Sequence, residues 1–104
     1  MTQPAKHTPG PWNARRNHAE TTESERINIT AGSVLIAETH HAWIDWEEQE
    51  ANAHLIAAAP TMYADLCAVR DYLFELYDEG NAKAGEYAAS LGITIEQAEG
   101  AGHE

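Results

Sequence analysis

Three arginines, two tryptophans and an Asn/His pair are the residues of this chain whose types suit recognition of a small anion. Arg15 and Arg16 stand side by side, and Arg26 follows. A guanidinium presents a planar fork of donors that fits a phosphate. Trp12 and Trp43 carry flat faces on which a nucleobase stacks. Asn52 brings two donors and an acceptor, and His54 lies two residues on; neighbouring alanines would allow a ligand close to both. Each also has a plain structural reading. Trp12 would plug one edge of a core, Arg15 and Arg16 would be solvated strand-end cations, and Asn52 would tie a helix to a sheet.

Other chemistries find little support. A metal site would have to draw on His40, His41, His54 and the acids Glu47, Glu48 and Glu50. Glu50 and His54 share a helical face, yet no HExxH or Cys/His spacing accompanies them. Cys67 is the single cysteine, beside an apolar stripe, so it reads as an inert buried thiol with no disulfide or thiolate cluster to join. No nucleophile elbow occurs. The main helix opens on Asp45-Trp46-Glu47-Glu48, which repels a phosphate instead of cradling it. The chain is therefore expected to be a binding protein, not an enzyme, and to need no cofactor or metal.

Charge sharpens this. The net charge is −11, and residues 38–104 hold fourteen acids against Arg70 and Lys83. Such a field repels the nucleic-acid backbone, so DNA binding is not expected. Two partner types remain: a basic protein surface facing the acids, or a small anion near the arginines of the first part. No apolar run reads as a signal peptide or a membrane span.

The elements that would position these residues follow from periodicity. Prolines at 4, 9 and 11 make residues 1–11 an extended arm that delivers Trp12. A short strand near 12–16 would turn Trp12 and Ala14 inward and Arg15 outward. Residues 26–38 alternate around an Ala31-Gly32 turn, the mark of a β-hairpin, with polar residues 17–25 looping before it. Asp45, three residues before Glu48, reads as a helix N-cap. Beyond it Leu55, Ala59, Met62, Leu66, Val69, Leu73 and Leu76 recur at alternating steps of four and three, an apolar stripe along one helical face. Pro60 interrupts it, so the reading is one kinked helix or two helices, 46–58 and 61–79, ended by Gly80-Asn81. The fold class expected is α+β: a small antiparallel sheet followed by this helical part, one domain over 1–80. Residues 81–104 are expected to form a weakly ordered tail, with a capping pattern at Thr94 and Gln97. The stripe and its tyrosines exceed what so small a sheet covers, which predicts a homo-oligomer through residues 55–77.

Two stretches, HTPGPW at 7–12 and ANAHLIAAAP at 51–60, together resemble a group of small proteins encoded by phages and prophages. The likeness spans roughly residues 7–77. It implies viral origin and a place in the cytoplasm of an infected bacterial host. Where that group commonly carries Arg, this chain has His54, which weakens an anion-binding role there. The plan of strands followed by helices is also similar to phage sponges that sequester cyclic-nucleotide immune signals. On that likeness, the first expectation is a counter-defence protein that holds such a nucleotide signal without cleaving it. The site would join Trp12, Arg15, Arg16, Arg26, Trp43, Asn52 and His54. The alternative is an acidic protein that imitates nucleic acid and occupies a basic groove on a host defence protein.

Overall fold

The structure, a computed structural model, describes residues 6–17, 26–39 and 45–100. His40, His41 and Trp43, most of the polar stretch expected to loop, and the last four residues lie outside the described residues. The chain forms two compact units, Met1–Thr61 and Met62–Glu104.

In the first unit, β1 (Asn13–Asn17), β2 (Arg26–Ala31) and β3 (Val34–Thr39) make one antiparallel sheet in the order β1-β2-β3. The hairpin turns at Gly32-Ser33. Gly32 has φ 61°, a left-handed conformation that glycine adopts without the penalty a Cβ brings. A register shift between Ile29 and Thr30 gives β3 one extra residue opposite β2, a β-bulge. Ile27 and Ile29 lie on one face of β2, as their alternation predicts, and both are buried with Ala53 of the first helix. Trp12, Ala14, Ile36, Ala37, Trp46 and Ala57 pack around this small core.

Helix α1 (Trp46–Asp78) is continuous through Pro60, where the sequence left a kink or a break open. Asp45 caps it as expected, its Oδ1 accepting the Glu48 amide at 2.8 Å. Pro60 is buried, and a Cβ placed on Gly10 would lie 3.3 Å from its ring, so the arm's glycine turn seats directly on the proline. The sequence stretches 7–12 and 51–60 thus meet in space. Within the first unit the helix turns small residues to the core: Ala53 is buried and Ala57 packs against it, while Leu55 of the apolar stripe is 63% exposed. The sheet therefore packs on a different face of α1 from the one the large side chains mark.

In the second unit, α1 ends in a Schellman arrangement. Gly80 has φ 107°, its amide donates to the Tyr77 carbonyl, and the Asn81 amide donates to that of Leu76. Asn81 then caps α2 (Ala82–Glu99) by accepting the Ala84 amide at 3.0 Å, and Gly100 closes it at φ 79°. The expectation of a weakly ordered tail after residue 80 gives way to an 18-residue helix. Ala84, Ala88 and Ile95 recur at four- and seven-residue steps and bury one of its faces, enough to anchor it. Thr94 sits inside this helix, its hydroxyl donating back to the Ser90 carbonyl, and caps nothing.

Gly85 and Gly92 give opposite expectations for alanine. A Cβ at Gly85 would fall 2.4 Å from the Tyr77 ring, whereas at Gly92 it would meet nothing within 4 Å. Alanine favours a helix interior over glycine by about 1 kcal/mol. Gly92→Ala should therefore raise the melting temperature, and Gly85→Ala should lower it by displacing Tyr77. Paired thermal melts followed by circular dichroism check the contrast, which fails if both substitutions stabilise.

Candidate functional site

Adjacent residues of a strand point to opposite faces. Register places Arg16 opposite Ile27, on the same face as Ala14 and the core, and Arg15 opposite Asn28 on the other face. Arg16 is consumed locally. Its guanidinium stacks 4.0 Å over the Trp46 ring and lies 3.6 Å from the Glu50 carboxylate. Trp46 and Glu50 are four residues apart on α1, so one helical face offers both the platform and the counter-charge. Arg26 is likewise 3.8 Å from Glu38 across the hairpin, on the face that carries Arg15. Arg15 is exposed and forms no ion pair among the described residues.

Trp12 is held as part of the core edge. Its indole Nε1 donates to the Thr8 carbonyl at 3.0 Å, and the His7 ring meets it edge-on at 6.3 Å. Asn52 and His54 flank the buried Ala53 and are both exposed. The tie between helix and sheet is made by Gln49 instead of Asn52: its Nε2 donates to the Thr39 carbonyl at 3.3 Å, and the side chain is fully buried. Sequence reading missed Gln49. The signal was its step of three from Trp46 and of four to Ala53, which puts it on the core-facing stripe.

Of the expected ligand residues, the structure thus leaves Arg15, Asn52 and His54 exposed, engages Arg16, Arg26 and Trp12 within the protein, and does not describe Trp43. Among the described residues, no group of three or more His, Cys, Asp or Glu is placed to hold a metal ion.

The second unit holds an open groove of about 540 Å³ between the end of α1 and α2. Phe74, Ala88, Gly92 and Ile93 give it an apolar lining; Arg70, Asp71, Glu96 and Glu99 add charge. Arg70 pairs with the neighbouring Asp71 at 3.2 Å, so the unpaired charge of the groove is negative. Glu99 also accepts the Tyr63 hydroxyl. That hydrogen bond to a carboxylate, first, and then partial desolvation hold the Tyr63 phenol well above the ordinary tyrosine range, so it stays protonated. Cys67 is half-buried nearby in sequence and free.

A family model described as Salmonella phage P22 protein Y8K6 matches residues 1–102. The chain belongs to that phage protein family. No curated protein and no solved structure matches it. The phage character implied by the two anchor stretches is therefore supported at the level of a family that spans nearly the whole chain, both units included. Among the described residues, no helix is long and apolar enough to cross a membrane.

Proposed function

We propose that this phage protein acts by binding alone, docking the acidic α1–α2 hairpin on a basic, partly apolar surface of a host defence protein in the host cytoplasm. The observation that carries this reading is the groove of the second unit, whose lining mixes Phe74, Ala88, Gly92 and Ile93 with the acids Asp71, Glu96 and Glu99. Residues 62–104 hold nine acids against Arg70 and Lys83, a balance of −7. Protein interfaces combine apolar contact with polar and charged groups, and a net negative charge speeds encounter with a basic partner. The same field opposes a nucleotide in that groove.

Sequestration of a cyclic-nucleotide signal remains the second reading, supported by the exposed Arg15 on the outer face of the sheet. It has less to work with, because Arg16 and Arg26 already have carboxylate partners. One experiment separates the two. The protein and the triple variant Asp71→Asn/Glu96→Gln/Glu99→Gln are used to capture host proteins from lysate at low and high salt. In parallel, each is dialysed against cyclic di- and trinucleotides. Docking predicts a captured host protein that high salt releases and that the variant binds roughly tenfold more weakly. Sequestration predicts instead a nucleotide recovered intact on denaturation, retained by the variant and lost in Arg15→Ala.

A further inference from the structure

The groove of the second unit contains a notch that the chain itself leaves open. Tyr77 packs on Gly85 and Tyr63 bonds Glu99, so each step back along α1 is matched by a step forward along α2. The two helices therefore run antiparallel, which brings Phe74 level with Ala88 and Arg70 level with Gly92. At Gly85 the Tyr77 ring takes the place of a Cβ, and glycine is required. Gly92 has no such neighbour: a Cβ there would meet nothing within 4 Å. The Arg70 guanidinium is turned instead to Asp71, with Nε and Nη2 each 3.2 Å from its Oδ1. A glycine inside a helix costs stability relative to alanine, and among the described residues no contact calls for this one. Phe74 and Ile93 line the same groove, and both are exposed.

We infer that this notch seats one apolar side chain of a basic amphipathic helix, the segment by which the host partner is held; the inference rests on the docking reading above. The walls decide that the occupant is a helix. Both are α-helices whose backbone groups are spent on their own ladders, so the groove offers no edge with which an extended segment could pair. A helix brings its backbone bonds with it and presents side chains on one face. The missing Cβ at Gly92 lets that face come close. The acids decide the occupant's charge. On α2, Glu96 lies one turn beyond Gly92 and Glu99 two turns beyond, and both line the groove. Arg70 and Asp71 offset each other, which leaves these two carboxylates facing the occupant. Glu99 accepts the Tyr63 hydroxyl and keeps its charge. The occupant thus carries an apolar residue over Gly92 and Lys or Arg one to two turns away. A second copy of this chain does not fit that description, because its two helices hold just Arg70 and Lys83 as bases.

The experiment uses the full chain and a fluorescent synthetic helix of alanine and glutamine, with leucines one turn apart and arginines one and two turns beyond them. Anisotropy should show binding that salt weakens, and a twin with glutamate for arginine should bind roughly tenfold or more weakly. Gly92→Leu fills the notch and should cost the arginine helix roughly tenfold or more in affinity. The same variant should melt no lower than the wild type, since leucine favours a helix interior over glycine, so lost binding is not lost folding. Glu96→Arg should narrow or reverse the preference between the twins. Equal affinity for the twins, equal affinity of the wild type and Gly92→Leu, or no binding at hundreds of micromolar overturns the inference. A host protein captured equally by the wild type and Gly92→Leu leaves docking standing and removes the notch as its seat. A lysate that yields no partner overturns the docking reading by itself, while the arginine helix still decides the notch.

Discussion

Replacing Ile29 by alanine is expected to remove about 2–5 kcal/mol from the first unit, the usual cost of truncating a fully buried isoleucine. Ile29 is 0% exposed, and among the described residues only Ile27 and Ala53 are buried with it in this core. A domain of this size has a total stability of about 5–15 kcal/mol, so the loss is a large share of it. Leu55→Ala, by contrast, removes a side chain that is 63% exposed and should change stability by less than about 0.5 kcal/mol at chain concentrations too low for association. Urea unfolding followed by tryptophan fluorescence is the measurement, because Trp12 and Trp46 both pack against this cluster. The midpoint should fall for Ile29→Ala and hold for Leu55→Ala. If Leu55→Ala costs as much, the core-facing side of α1 is not the one described.

That contrast marks where the sequence was legible. Period-two alternation found Ile27 and Ile29 because a half-buried strand has to alternate. The Asp45 cap and the Gly80-Asn81 stop were readable because helix ends demand particular chemistry, and the structure uses both residues so. The sheet-facing side of α1 was not readable by hydrophobicity. Close packing on a three-stranded sheet favours small residues there (Ala53, Ala57 and the proline under Gly10), so the stripe of large side chains points elsewhere. Residues 82–99 read as weak for a related reason, since alanines bury a helix face with little apolar mass to announce it.

The candidate site was less legible than the fold. Side by side in sequence, Arg15 and Arg16 suggested one anion fork, but a strand separates them to opposite faces. Alternation from the inward Ala14 already implied that Arg16 turns inward, and Trp46 with Glu50 is what meets it. Such pairings depend on how the helix lies on the sheet, which no local pattern encodes. The acidity of the second unit was visible as charge but not as a groove, because α2 supplies most of its walls.

Gln49→Glu tests the buried polar tie, and its effect should depend on pH. Gln49 is fully buried; its Nε2 donates to the Thr39 carbonyl, and its Oε1 has no partner among the described residues. A carboxylate there loses its hydration and faces the Thr39 carbonyl oxygen where an amide N–H stood. Both effects disfavour the charged form, so the folded-state pKa rises above the unfolded value of about 4.3. Between those two values the native state binds the extra proton, and stability falls as pH rises. The penalty is absent below the unfolded pKa and complete above the folded one, where it should reach about 2–4 kcal/mol. Protonated, the new side chain can donate to Thr39 as the amide does, so the variant should approach the wild type under acid conditions. Seventeen native acids titrate in the same range, so the informative quantity is the difference from wild type at each pH. Gln49→Leu supplies the control: it leaves the Thr39 carbonyl unpaired at a cost of about 1–3 kcal/mol that does not change with pH. A Gln49→Glu penalty equal at every pH would mean that the side chain reaches water, and that the tie between helix and sheet lies elsewhere.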